Sequence, residues 1–125
     1  MRYVGADACS SGWFAGILND GRLETDRYDA ISGLYDEHHD AERILIDIPI
    51  GVPETERRAC DEEASDLLGC RGVSVFHPPC RAVVDEHPDD YDRANKLNKK
   101  NMNEGLSQQA FHILPKIKEV DELAC

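Results

Sequence analysis

Two short apolar runs, each carrying an aspartate, constrain this chain more than any other feature. Residues 3–7 read YVGAD and residues 44–50 read ILIDIPI. Runs of this length and composition are strand signals. A carboxylate inside or at the end of one is costly unless it is hydrogen-bonded, protonated or neutralised by a cation. Asp7 and Asp47 therefore mark places where a buried strand meets something polar.

The rest of the chain supplies the frame. Residues 2–7 and 12–18 (GWFAGIL) predict two strands joined by the small-residue link ACSS. The Asp20-Gly21 pair is a hairpin signal leading into a third antiparallel strand, RLETDRY, residues 22–28. From Asp29 to His39, the spacing of Ala30, Ile31, Leu34 and Tyr35 predicts a short helix with Asp29 as N-cap. The run RILIDIPIGVP, residues 43–53, predicts a parallel strand covered on both faces and ended by Pro49 and Pro53. Residues 54–68 predict a helix stopped by Gly69. The segment 70–88 reads as irregular, with a short strand at VSVF. Pro88 opens a short helix through residue 100, and the Asn-rich stretch 98–105 reads as a mobile loop. The final segment, 106–124, sets Leu106, Ala110, Ile113, Leu114, Ile117, Val120 and Leu123 at a 3.6-residue period. Pro115 should kink that helix, and Ser107 is its expected N-cap. Three antiparallel strands followed by a helix and a parallel strand make a mixed α/β sheet. At 125 residues, the chain fits a single domain, 1–125.

Charge narrows the surroundings. There are 25 acidic against 14 basic residues, a net charge of −11, and only five of the basic residues are Lys. The acids are spread along the whole chain. A uniformly acidic, Lys-poor surface suits a high-salt cytosol, where screening relieves self-repulsion, so a haloadapted cytoplasmic protein is expected. Such a surface is no nucleic-acid footprint, so a nucleic-acid partner would require a local basic patch or metal ions. No apolar run approaches the ~20 residues of a membrane helix, and no membrane partner is expected. The five cysteines, Cys9, Cys60, Cys70, Cys80 and Cys125, lack metal-ligand spacing and read as thiols.

If the two acid-bearing strands are neighbours and parallel, Asp7 and Asp47 emerge together at the end of the sheet where open α/β folds bind ligands. Two carboxylates held close repel, and a hard divalent cation, Mg2+ or Mn2+, is their natural neutraliser. The alternative is that each aspartate caps the loop after its strand. Arg58, Arg71 and Arg81 either decorate solvated faces or hold phosphate oxygens. His77 precedes Pro78-Pro79 and is either a catalytic group or, as lone loop histidines usually are, a structural one, and His38-His39 reads as solvent-exposed.

Taken in order, five segments resemble one family: VGADACSSGWFAGIL, ILIDIPIGVPE, RRACDEEASDLLG, the pattern R-x-x-S-V-F-x-P-P-x-R from Arg71 to Arg81, and GLSQQAFHILPKIKEVD. The family is the bacterial and archaeal domain-of-unknown-function family four hundred and twenty-nine, described as predicted RNase H-like nucleases. The resemblance implies an RNase H-like α/β fold with Asp7 and Asp47 as catalytic metal ligands on the first and fourth strands. It further implies that the chain matches the N-terminal portion of a longer fold, truncated before a further strand and an E-x-H-P-E motif. The carboxylate set is then expected to be incomplete, with Glu54, Glu56 or a second subunit as substitutes.

Three functions follow from these readings. The first is a metal-dependent phosphodiester hydrolase, complete or not. The second is a non-catalytic module that forms a homodimer through the kinked last helix. The third is an ATP-using enzyme of the actin-like or sugar-kinase type, which shares the sheet topology.

Overall fold

The computed structural model describes residues 1–124, so Cys125, the fifth of the cysteines read as thiols, lies outside the described residues. The chain divides into two compact units: residues 1–50 with the chain from Glu119 onward, and residues 51–118.

The first unit holds β1 (Arg2–Cys9), β2 (Gly12–Asn19), β3 (Arg22–Tyr28), α1 (Ile31–His38) and β4 (Arg43–Ile46), with the end of α6 (Leu114–Ala124). The strand order is β3-β2-β1-β4; β1 to β3 are antiparallel and β4 runs parallel to β1. This is the mixed α/β sheet expected, and it agrees with an RNase H-like fold. The β2–β3 turn places Asp20 at φ 49° and Gly21 at φ 83°, as a two-residue primed hairpin requires. Gly12, which opens β2, has φ 136°, and a Cβ there would meet the Tyr28 carbonyl oxygen at 2.1 Å. Only glycine lets β2 start against the end of β3.

One face of the sheet carries the core. Val4, Ala6, Trp13, Ala15 and Ile17 pack with Ile31 and Leu34 of α1 and Val120 of α6. Each large side chain buried this way stabilises by about 1.5–3 kcal/mol. The other face is open, which corrects the reading of β4. That strand has four residues rather than a long run covered on both sides; Ile44 and Ile46 are half-buried, while Leu45 is 68% exposed. A continuous apolar run cannot by itself tell whether the second face of a sheet is covered.

Two details of α1 also differ from expectation. Asp29 is not its cap: its carboxylate lies 3.6 Å from Arg27, and Ala30 precedes the helix without a side-chain cap. The first amide, Ile31 N, instead donates at 2.6 Å to Oε1 of Glu119, far away in sequence. His38 is buried rather than exposed, because it shares the helix face of Ile31 and Leu34, and its Nε2 lies 2.9 Å from the Tyr28 hydroxyl.

The second unit is helical: α2 (Ala59–Leu68), a 3-10 turn (Gly69–Ser74), α3 (Arg81–Glu86), α4 (Tyr91–Met102), α5 (Gln108–His112) and the start of α6. Its buried residues include Cys80, Val83, Val84, Ala94, Leu106, Ala110, Leu114 and Ile117. Helix α2 begins five residues after the expected start, and Gly69 at φ 57° ends it as expected. No strand forms at VSVF, because Val73 and Ser74 belong to the 3-10 turn. That turn is pressed against α2, where a Cβ on Gly72 would sit 2.5 Å from Ser65 Oγ.

Helix α4 is capped by Asp90, whose carboxylate accepts from Asp92 N, and it runs into the stretch expected to be mobile. Asn98 is 3% exposed there: its Oδ1 accepts from Cys80 N at 2.9 Å and its Nδ2 donates to the Glu104 carbonyl at 3.0 Å. Ser107 caps α5 as expected, accepting from Ala110 N at 3.0 Å. Pro115 does not kink a continuous helix. It sits in the first turn of α6, where a missing amide costs nothing, and the break falls at Ile113. Among the described residues no helix is long and apolar enough to cross a membrane.

Candidate functional site

The open face of the sheet is a grid set by register. Tyr3, Gly5 and Asp7 of β1 lie opposite Leu18, Gly16 and Phe14 of β2, which in turn lie opposite Leu23, Thr25 and Arg27 of β3. On the other side, Tyr3 pairs with Arg43 and Gly5 with Leu45 of β4. The last paired residues are Ala6 and Ile46, and the ladder goes one bond further, Asp47 N donating to the Ala6 carbonyl at 2.9 Å. Asp47 thus comes directly after the last rung of this ladder, as Asp7 comes directly after Ala6 on β1. Asp47 itself follows β4 in a tight turn, closed by Ile48 N donating to the Ile46 carbonyl at 2.9 Å.

Both aspartates are exposed and line one shallow cleft of about 580 Å³ with Gly5, Gly16, Phe14 and Ile50. A Cβ on Gly5 would meet nothing within 4 Å, and one on Gly16 only Leu23 Cδ1 at 3.9 Å. Packing does not demand these two glycines; their effect is to leave the cleft floor as bare backbone.

Among the described residues no three His, Cys, Asp or Glu side chains form a group able to hold a metal ion, so the pair stands as two carboxylates. Glu54 and Glu56 belong to the second unit. Magnesium is commonly held by one or two carboxylates, with water and substrate phosphate completing its shell, and the Asp7–Asp47 pair fits that pattern.

The three arginines considered for phosphate also belong to the second unit. Arg58 grips Asp61 through Nε and Nη2, both at 2.7 Å, and its Nη1 reaches the Gly51 carbonyl at 3.1 Å. The Asp61 carboxylate hydrogen bond raises the Arg58 pKa further above its ordinary value. Arg81 donates to Asp85 at 3.4 Å, and Arg71 sits exposed in the 3-10 turn. Of the three, Arg58 alone lines the cleft of that unit, a concavity of about 360 Å³.

The same cleft holds Arg57 and Glu104, to which the sequence reading gave no role. Arg57 donates through Nε to both carboxylate oxygens of Glu104, at 2.8 and 2.9 Å. The Arg57 hydrogen bond holds the Glu104 carboxyl below its usual range, and Glu104 in return raises Arg57. His77 lines the cleft too, and its Nδ1 is buried without a hydrogen-bond partner among the described residues. The available signal was the Arg57-Arg58 pair just ahead of α2 and a histidine fixed in extended backbone before two prolines.

The sequence profile of the family described as "Protein of unknown function (DUF429)" matches residues 5–124. The chain belongs to the DUF429 family. No curated protein and no solved structure matches it significantly. The DUF429 match spans both units, so the Asp7–Asp47 cleft and the arginine cleft lie within the matched region.

Proposed function

We propose that this DUF429 protein is a metal-dependent phosphodiester hydrolase of RNase H type, acting on nucleic acid in the cytoplasm. One observation carries the reading: Asp7 and Asp47 line one cleft on the open sheet face, at the carboxyl ends of two parallel strands. An exposed carboxylate pair of this kind has few structural uses, and neither β1 nor β4 needs it for packing.

In this reading Asp7 and Asp47 would hold Mg2+ or Mn2+ through their carboxylates. A cation bound there supplies charge neutralisation on a phosphodiester and lowers the pKa of a coordinated water. The protein's own part is positional: adjacent strands fix the two carboxylates, and the bare Gly5–Gly16 floor lets a backbone or ring approach closely. Phe14, opposite Asp7 in the register and 51% exposed, offers a surface on which a base can stack. The chain's net charge of −11 makes the cation the main attraction for phosphate. Cleavage of RNA, DNA or hybrid that requires Mg2+ or Mn2+ and disappears in Asp7→Asn supports the proposal. Equal cleavage by that variant would sink it.

A second reading has its own observation. The open face exposes Tyr3, Phe14, Leu18 and Leu45, apolar side chains of the kind a second copy would cover. The last helix, expected to be the dimer element, has Leu106, Ala110, Leu114, Ile117 and Val120 buried within the chain. In a non-catalytic dimerising module, the sheet face would therefore be the contact. Light scattering on the purified protein tests this: a monomer at high concentration removes it.

A further inference from the structure

The cleft of the second unit is independent of the aspartate pair, and its chemistry is unassigned. Its charged side chains cancel: Arg57 with Glu104 and Arg58 with Asp61. The way they cancel is uneven. Arg58 is committed on Nε, Nη1 and Nη2. Arg57 is held only through Nε, and neither of its Nη groups has a hydrogen-bond partner among the described residues. Glu104 thus orients the guanidinium and leaves its outer fork unused, the edge that matches a phosphate or carboxylate bidentately.

Other polar groups in the cleft are also unspent. The Gln109 side-chain amide has no partner among the described residues, and Ser107 uses its oxygen as an acceptor, keeping its hydroxyl proton to give. His77 Nδ1 is buried and has no partner among the described residues, an arrangement that is costly unless a ligand or water completes it. Phe76, Pro78 and Met102 give the cleft an apolar wall, beside the polar Ser74 and Asn98. At about 360 Å³, the cleft lies at the lower end of small-molecule sites.

We infer that this cleft binds a small organic anion, with a phosphate or carboxylate head on the Arg57 fork and Gln109, and a compact planar body against the apolar wall. The inference does not rest on the hydrolase reading, because the cleft's residues all lie in 51–118 and include neither Asp7 nor Asp47.

Calorimetric titration of the full chain with AMP, benzoate and inorganic phosphate tests it. AMP or benzoate should bind below about 10 mM, and at least about tenfold more tightly than inorganic phosphate. AMP alone identifies a phosphate head; benzoate alone identifies a carboxylate. Arg57→Gln should weaken the binding by about tenfold or more. Gln109→Ala guards against misfolding of the arginine variant and should weaken binding a few-fold, to about one third. Asp7→Asn should leave it unchanged. Absence of binding by both organic probes, inorganic phosphate binding as tightly as they do, or indifference to both Arg57→Gln and Gln109→Ala would overturn the inference. Loss of binding in Asp7→Asn would assign it to the sheet cleft instead.

Discussion

Trp13 and Glu119 are joined across 106 positions of sequence by one hydrogen bond, Nε1 donating to Oε1 at 2.9 Å, and the same oxygen accepts from Ile31 N. Trp13 is fully buried, so a single carboxylate satisfies both a core indole and the first amide of α1. Removing it leaves two donors without this acceptor. Glu119→Ala should cost about 2–4 kcal/mol, and Glu119→Gln, which keeps an acceptor, about 1–2 kcal/mol. Denaturant unfolding followed by tryptophan fluorescence measures both.

Gly12 should be the least replaceable glycine of the sheet. A Cβ there meets the Tyr28 carbonyl at 2.1 Å, and the backbone already has φ 136°. Gly12→Ala should destabilise by about 2–4 kcal/mol, whereas Gly5→Ala, in open space, should change stability by under about 1 kcal/mol. Thermal melts of the two variants side by side decide the point.

The Tyr28 hydroxyl ionises late. Burial, reinforced by the nearby Glu37 and Asp26 carboxylates, pushes its pKa from 10.0 up to about 12. The unfolded chain loses this proton first, so its contribution is fully present below pH 10 and is lost as pH rises towards 12. Stability should fall across that window in the native protein, and less steeply in Tyr28→Phe. Urea titrations at stepped alkaline pH give the comparison.

A net charge of −11 makes self-repulsion a sizeable opponent of folding in dilute buffer. Melting temperature should rise as KCl goes from about 0.1 M to about 2 M, because the Debye length shrinks below the spacing of surface charges. A melting temperature flat in KCl would contradict the haloadapted reading.

The legible part of the sequence was local. The hairpins, the Asp20-Gly21 turn, the Gly69 stop and the Ser107 cap were read from turn and cap chemistry that acts within a few residues. The parallel pairing of β1 with β4 followed from two apolar runs and the order of elements between them. What stayed hidden depends on distant partners. Glu119 caps α1 from the far end of the chain, His38 is drawn inward by the face it shares, and Asn98 is ordered by Cys80 and Glu104. Arg57 and Arg58 look equivalent in sequence, and only their different partners show which guanidinium keeps donors to spare.

Divalent-cation binding by the aspartate pair is the point on which the proposed function stands. A Mn2+ titration read by paramagnetic broadening of assigned backbone amides reports it without requiring turnover. Broadening centred on residues 6–8 and 46–48, saturating below about 10 mM and lost in both Asp7→Asn and Asp47→Asn, is the predicted result. Broadening elsewhere, or at those residues but undiminished in both variants, would contradict it.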